Sequence, residues 1–254
     1  MPRRLHGLAV GLSVLPLLLL AWPAAADITV IGHYRLANGD TLTRASYYTN
    51  RRMRTTTPNG YEIVYDKPGD RIALIDHARK RYWEGPRPQA DSIADAMRKE
   101  RNQALIQSAT PEMKEEWSKV VAALSESVHM QASGRDTMIA GYPCSQWVLT
   151  AEPYIRHERW IARSIVVPDF GPEVEKVLLA TIMDPVGRAL TKVVLQGRVV
   201  DGLPLGGRLR FKTPSQEGEF SWVAVAVRGG TLPATTWVVP AGYQLWHPAK
   251  ATAE

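Results

Sequence analysis

Between Asp27 and Glu84 the chain is cut again and again by turn residues, and this punctuation restricts the fold more than any other feature. Asn38-Gly39 separates two alternating runs, and both positions tolerate the positive φ that a two-residue hairpin needs. Asn50-Arg51, Pro58-Asn59-Gly60 and Asp66-Lys67-Pro68-Gly69-Asp70 turn the chain again. Strands are therefore expected at Ile28–Leu36, Thr41–Thr49, Arg52–Thr57, Tyr61–Asp66, Arg71–Asp76 and Lys80–Glu84. Ile28, Val30, Tyr34 and Leu36 share a parity and mark one face of the first. Strands joined by turns this tight form an antiparallel meander.

The third of these strands carries Arg52 and Arg54, with Arg51 just before it. Alternation puts Arg52 and Arg54 on one face and Met53 and Thr55 on the other. Nucleic-acid binding needs a broader basic footprint, and the next strand offers Glu62 and Asp66. The arginines are expected on a solvated face, with an anionic-ligand site as the alternative.

The period changes after Gln89. Ile93, Met97, Ala104 and Leu105 fit a helix, and Thr110-Pro111-Glu112 opens a second. Threonine suits the N-cap, proline the first helical position and glutamate the positive helix end. Met113, Trp117, Val120, Val121, Leu124 and Val128 then recur at helical spacing opposite Lys114, Glu115, Lys119 and Glu126. The stripe reads first as core. If the helix lids a curved sheet, Met113, Trp117, Val121 and Leu124 are the residues that line the groove beneath it.

Strands return at Met130–Thr137, Cys144–Thr150 and Tyr154–Arg163, and helical patterns at Val174–Ile182 and from Asp184. The last section is β again, from Asp201-Gly202 to the closing "VVPAGYQLW". A β–α–β–α–β order with no clean boundary gives a single α+β domain over residues 27–246 and a loose tail over 247–254.

Residues 1–26 read as a cleavable signal peptide. Arg3 and Arg4 precede an apolar run that Pro16 and Pro23 interrupt, and Ala24-Ala25-Ala26 suits the peptidase. A periplasmic location follows, without a lipid anchor, because no cysteine follows the cleavage site. Removing two leader arginines lowers the net charge from +6 to +4, which decides little about partners. Cys144 is the lone cysteine, so no internal disulfide framework exists. It is expected to be a buried, inert thiol.

No catalytic constellation emerges. His33, His77, His129, His157 and His247 show no metal-ligand spacing, and His77 reads as a surface turn residue. Neither a G-x-S-x-G elbow nor a Gly-rich phosphate loop occurs. No cofactor, metal or catalytic residue is expected.

The stretches "YYTNRRMR", "YEIVYDKPGDRIALIDHARKRYWEG", "IAGYPCSQWVL" and "LPATTWVVPAGYQLW" resemble an uncharacterised family of exported bacterial proteins, a domain of unknown function. That family looks like the periplasmic lipoprotein-carrier (LolA/LolB-like) superfamily. The resemblance covers most of the mature chain and rests on strand-and-turn patterns. It implies a curved antiparallel sheet, an open half-barrel, with helices on its concave side and an apolar groove between them. In the carriers that groove holds acyl chains. No carrier motif matches at residue level, so no binding residue is carried over. Two functions follow as expectations, beside a third, a hydrolase whose site the sequence does not display. One is a non-enzymatic binding protein holding a lipid or other hydrophobic ligand. The other is an envelope structural or interaction protein with a plugged core, no ligand and a protein partner.

Overall fold

The computed structural model describes residues 27–56, 60–126, 128–167, 201–212 and 217–247, with Val177, Ala189 and Lys192 beside them. The leader, Pro58 and Asn59, the two helical patterns after residue 173 apart from those single residues, and the tail beyond His247 lie outside the described residues.

The turn chemistry yields six strands: β1 (Ile28–Arg35), β2 (Thr41–Tyr48), β3 (Arg52–Thr56), β4 (Tyr61–Asp66), β5 (Arg71–Asp76) and β6 (Arg81–Pro86). Helices α1 (Arg87–Ser108) and α2 (Pro111–Glu126) follow. Then come β7 (His129–Ile139), β8 (Tyr142–Ala151), β9 (Ile155–Ala162), β10 (Leu203–Lys212), β11 (Glu217–Gly229) and the short β12 (Gln244–Leu245). All join one 12-stranded sheet in the order β12-β6-β5-β4-β3-β2-β1-β11-β10-β9-β8-β7. Every neighbouring pair is antiparallel except β12 on β6. Two consecutive meanders are thus joined edge to edge by β1 and β11. Register shifts in β11, β10 and β7 mark bulges, which bend a sheet and increase its twist. The sheet curves without closing, and β7 swings back toward β11.

Both helices are anchored by the signals that start them. Asp70, at φ 45° in the β4–β5 turn, accepts Arg87 Nε at 2.7 Å, and its carbonyl accepts the Arg87 N–H at 2.8 Å. The turn therefore fixes where α1 begins. Thr110 Oγ1 caps α2 by accepting the Met113 N–H at 3.3 Å. Backbone and Thr110 hydrogen bonds hold the Glu112 carboxyl below its usual range, as an acid in the first helical turn should be.

Register shows that the helices share one face of the sheet. Residues directly opposite on neighbouring strands project the same way. Ile28 faces Tyr48, Tyr48 faces Met53, and Met53 faces Tyr65. Met53 and Tyr65 belong to the cluster that α1 completes with Ala90, Ile93, Ala94 and Met97, over Ile63, Ile72, Leu74 and Trp83. In the other direction Tyr34 faces Trp222, and Phe220, two residues along β11, faces Leu209. Leu209 packs into the cluster where Val120 and Leu124 of α2 meet Leu149, Ala151 and Ile155. Between them, Tyr48 touches both the α1 cluster and a third cluster around Val30, Cys144, Leu205 and Ala224.

The opposite face of β4–β6 is also covered. Val64, Ala73 and Ile75 are buried there with Tyr82, beneath Trp237, Val239 and Tyr243. The chain leaves β11, makes a 3-10 turn at Ala234–Trp237, and ends as β12 on the β6 edge. This strap corrects the expectation for Arg54. Arg52 is a solvated residue, its side chain 44% exposed, with Nε donating to Asp66 at 3.0 Å. The Arg54 side chain is 11% exposed and that of its partner Glu62 is 9%. Arg54 forks onto Glu62, Nε to Oε1 at 2.8 Å and Nη2 to Oε2 at 2.7 Å. Its Nη1 donates to the Thr236 and Val238 carbonyls at 2.6 and 3.0 Å. The face assignment was right and the solvation wrong, because a segment remote in sequence lies over that face. The difference is measurable. Arg54→Gln should cost roughly 3–5 kcal/mol in denaturant unfolding, since it strands a buried carboxylate. Arg52→Gln should stay within about 0.5 kcal/mol, the usual size for an exposed site.

Candidate functional site

The helix-bearing face carries a row of directly opposed residues across its middle. Trp147 on β8 faces Arg159 on β9, and Arg159 faces Gly207 on β10. Gly207 faces Trp222 on β11, and Trp222 faces Tyr34 on β1. A Cβ on Gly207 would come within 2.8 Å of Trp222 Nε1, so the glycine is what lets the indole lie down onto the sheet. Tyr34 stacks on Trp222 with ring centres 6.0 Å apart and planes 14° apart. Phe220, two residues from Trp222 on β11, lies 6.0 Å from Tyr34 with its plane tilted by 40°. The Arg44 guanidinium sits 5.6 Å from the Tyr34 ring centre. Tyr34, Trp222, Phe220 and Arg44 are all half-buried. Burial raises the Tyr34 pKa, and so to a lesser extent does Tyr48, against Arg44. Burial lowers that of Arg44. Together they form a polarisable floor on the face that α1 and α2 cover to either side.

Beside this row, two buried polar atoms have no hydrogen-bond partner among the described residues: Trp147 Nε1 and His157 Nδ1. The α2 residue Glu116 also has a buried carboxylate oxygen without a partner among them. Unpaired buried groups are uncommon and each calls for a reason, such as a ligand or an ordered water.

The expected groove residues divide. Leu124 is fully buried in the α2 cluster, and Trp117 packs against that cluster half-buried. Met113 and Val121 are half-buried. Sequence reading missed the floor itself, because its members come from three separate strands that pair only in the fold. Cys144 is 1% exposed, and burial raises its thiol pKa, leaving little thiolate to react. His77 does lie in a turn, but it also sits 3.2 Å from Glu62 Oε2 and 2.8 Å from the Tyr243 hydroxyl.

Two shallow clefts flank the strap on the opposite face. One, of about 430 Å³, is bordered by Thr43, Tyr47, Arg54, Thr56, Glu62 and Thr236. The other, of about 570 Å³, lies between Val64, Ala73 and Tyr82 and the strap residues Trp237, Val239 and Tyr243. Among the described residues no three His, Cys, Asp or Glu side chains are grouped to hold a metal ion. No described helix is long and apolar enough to cross a membrane.

His157 gives the helix-bearing face a pH signature. It is 6% exposed, and burial, with the Arg159 charge adding, pushes its pKa from 6.5 down to about 3. The folded protein therefore refuses a proton that the unfolded chain accepts. Stability should fall as pH drops from about 6.5 toward 3, on the order of 1 kcal/mol per pH unit. His157→Leu should flatten that acid limb in urea melts taken between pH 7 and 4. Parallel limbs for the two proteins would contradict the assignment.

No protein-family model matches the chain, and no curated protein matches it. Solved structures do. An uncharacterized conserved protein from Thermus thermophilus is similar over 88% of this chain and 91% of its own, at 10% identity and a TM-score of 0.42. The Pseudomonas aeruginosa MucA/MucB complex is similar over 86% of this chain at 13% identity and a TM-score of 0.30, and this chain spans 57% of the chain compared there. A LolA superfamily protein from Nitrosomonas europaea is similar over 84% of this chain and 90% of its own, at 8% identity and a TM-score of 0.25.

Proposed function

We propose that this is an exported, non-enzymatic binding protein of the cell envelope, which holds a hydrophobic ligand on the helix-bearing face. On this reading residues 1–26 direct export to the periplasm, the sheet is an open half-barrel, and α1 and α2 pack on its concave side. The observation that carries the reading is the half-buried stack of Trp222, Tyr34 and Phe220, placed between the two helix-capped clusters. Rings left half-buried between two packed clusters have apolar area still to bury. Each kcal/mol requires roughly 40 Å² of it at ~25 cal/mol per Å². On this reading the stripe of α2, with Met113, Trp117, Val121 and Leu124, is the wall facing this floor. The Trp147 and His157 nitrogens, without a hydrogen-bond partner among the described residues, suit a ligand with one polar end, because a buried donor or acceptor left unmade is costly.

One observation favours a second reading, a plugged interaction protein with no ligand. Val120 and Leu124 of α2 are already 1% exposed against the sheet, so much of that interface is filled core.

A solvatochromic apolar dye separates the two. It should bind the wild type, and Trp222→Ala should weaken it at least about tenfold, which is ~1.4 kcal/mol of lost contact. The melting transition should move by only about 1 kcal/mol, as for an ordinary point change. If the wild type binds no dye, or the variant binds it equally, the plugged reading replaces this one.

A further inference from the structure

The strap is bound to the outer face of β3–β6 much as a separate peptide would be. From Gly229 to Trp246 no residue is charged, and the segment carries Trp237, Val239, Pro240 and Tyr243. None of its side chains is buried, whereas Val64, Ala73 and Ile75 beneath it are. The seat recognises main chain as well as side chains. Arg54 Nη1 donates to two strap carbonyls, Thr236 at 2.6 Å and Val238 at 3.0 Å. The β6 edge accepts the Gln244 N–H at the Lys80 carbonyl, 3.0 Å, and the Trp246 N–H at the Tyr82 carbonyl, 2.7 Å. Side-chain seats complete it. Trp237, Val239 and Tyr243 lie on Val64, Ala73, Ile75 and Tyr82. The Tyr243 hydroxyl meets His77. Past the β6 edge the segment leaves this face, and Trp246 packs against the α1 cluster, its ring centre 4.8 Å from the Arg81 guanidinium. Glu62 compensates the Arg54 charge with two bonds, so the seat presents donors without a net field, which suits an uncharged occupant. The connection into the strap runs through Gly229 and Gly230, the second at φ 145°, a conformation open to glycine.

We propose that the outer face of β3–β6 is a docking surface for an extended, uncharged peptide segment bearing a tryptophan and a tyrosine six residues apart. The chain's own C-terminal segment occupies it, and a partner protein carrying a segment of the same chemistry takes the seat by displacing the strap. This surface lies on the face opposite the proposed ligand floor, and the two ideas stand or fall separately. Backbone bonding to a sheet edge supplies general affinity, and the aromatic seats supply selection. The tethered strap has a high effective concentration, so a partner has to bind more tightly or be present in excess.

The test keeps the full chain. A specific protease site is placed at Gly229-Gly230, the folded protein is cut, and the strap then remains only by its contacts. A labelled synthetic peptide of residues 231–247 is added, and exchange is followed by gel filtration and fluorescence anisotropy. The cut strap should co-elute with the body and exchange with the labelled peptide, one per chain. A Trp237→Ala or Tyr243→Phe peptide should bind at least tenfold more weakly, and a scrambled peptide should not bind. Arg54→Lys in the body should weaken binding at least tenfold, and Arg52→Gln should not. If Arg54→Lys fails to fold, the peptide variants still decide, since they leave the body untouched. A strap that never exchanges until the body unfolds would overturn the proposal, making the segment a fixed part of the fold. Equal binding of the scrambled peptide would overturn it too.

Discussion

The β1–β11 ladder is the contact on which the rest of the structure depends. The chain makes two meanders, and among the described elements each alone would be a sheet with open edges beside one of α1 and α2. Pairing Ile28–Arg35 with Ser221–Gly229 fuses them, so that a face begun under α1 continues under α2. The stacked Tyr34 and Trp222 lie on that seam, one ring from each meander. The stack cannot form in either half alone. The register also has a consequence for specificity. A slip of one residue would turn Tyr34 and Trp222 to opposite faces, and Val30 would leave its cluster. The β11 bulge at Val225, opposite Ile31–Gly32, settles the register locally, and the close fit of Trp222 to Gly207 settles it on the next strand.

The buried Arg54–Glu62 pair works differently. A buried ion pair is weak evidence for stability, because desolvation offsets much of the attraction. Its geometry here suggests selection of one arrangement. The guanidinium uses its fork on Glu62 and still has Nη1 for two strap carbonyls, which lysine could not reproduce. Asp76 plays a similar part at the next turn. It is 1% exposed, caps the Ala78 and Arg79 N–H groups, and lies 3.6 Å from Arg81, which reaches Glu100 on α1. Charged side chains thus tie the two coverings of β4–β6, helix on one face and strap on the other, to the same few strands.

Local chemistry made much of this legible. The turn residues predicted β1 to β6 to within a residue or two at each end, and Thr110-Pro111-Glu112 placed the start of α2. Arg54 shows why the rest was hidden. Its alternation with Met53 was read correctly, but its burial depends on carbonyls 182 and 184 residues away. Nor can alternation alone reveal His157 and Arg159. In "RHERWIA" both parities carry polar residues, and only the covering of one face decides that His157 and Arg159 are buried while Arg156 is exposed. The aromatic floor needs the β1–β11 pairing, which joins the first strand to the eleventh. The long uncharged stretch before His247 was the available clue to the strap, and it reads equally well as a terminal strand.

A ligand held on the face that spans both meanders is the central proposal. Native mass spectrometry of the protein purified from its own compartment tests this most directly. The expected result is a species heavier than the polypeptide, releasing a small apolar molecule as collision energy rises, and a bare chain when Trp222 is replaced by alanine. A wild-type protein that flies only at its polypeptide mass under the gentlest conditions would contradict it.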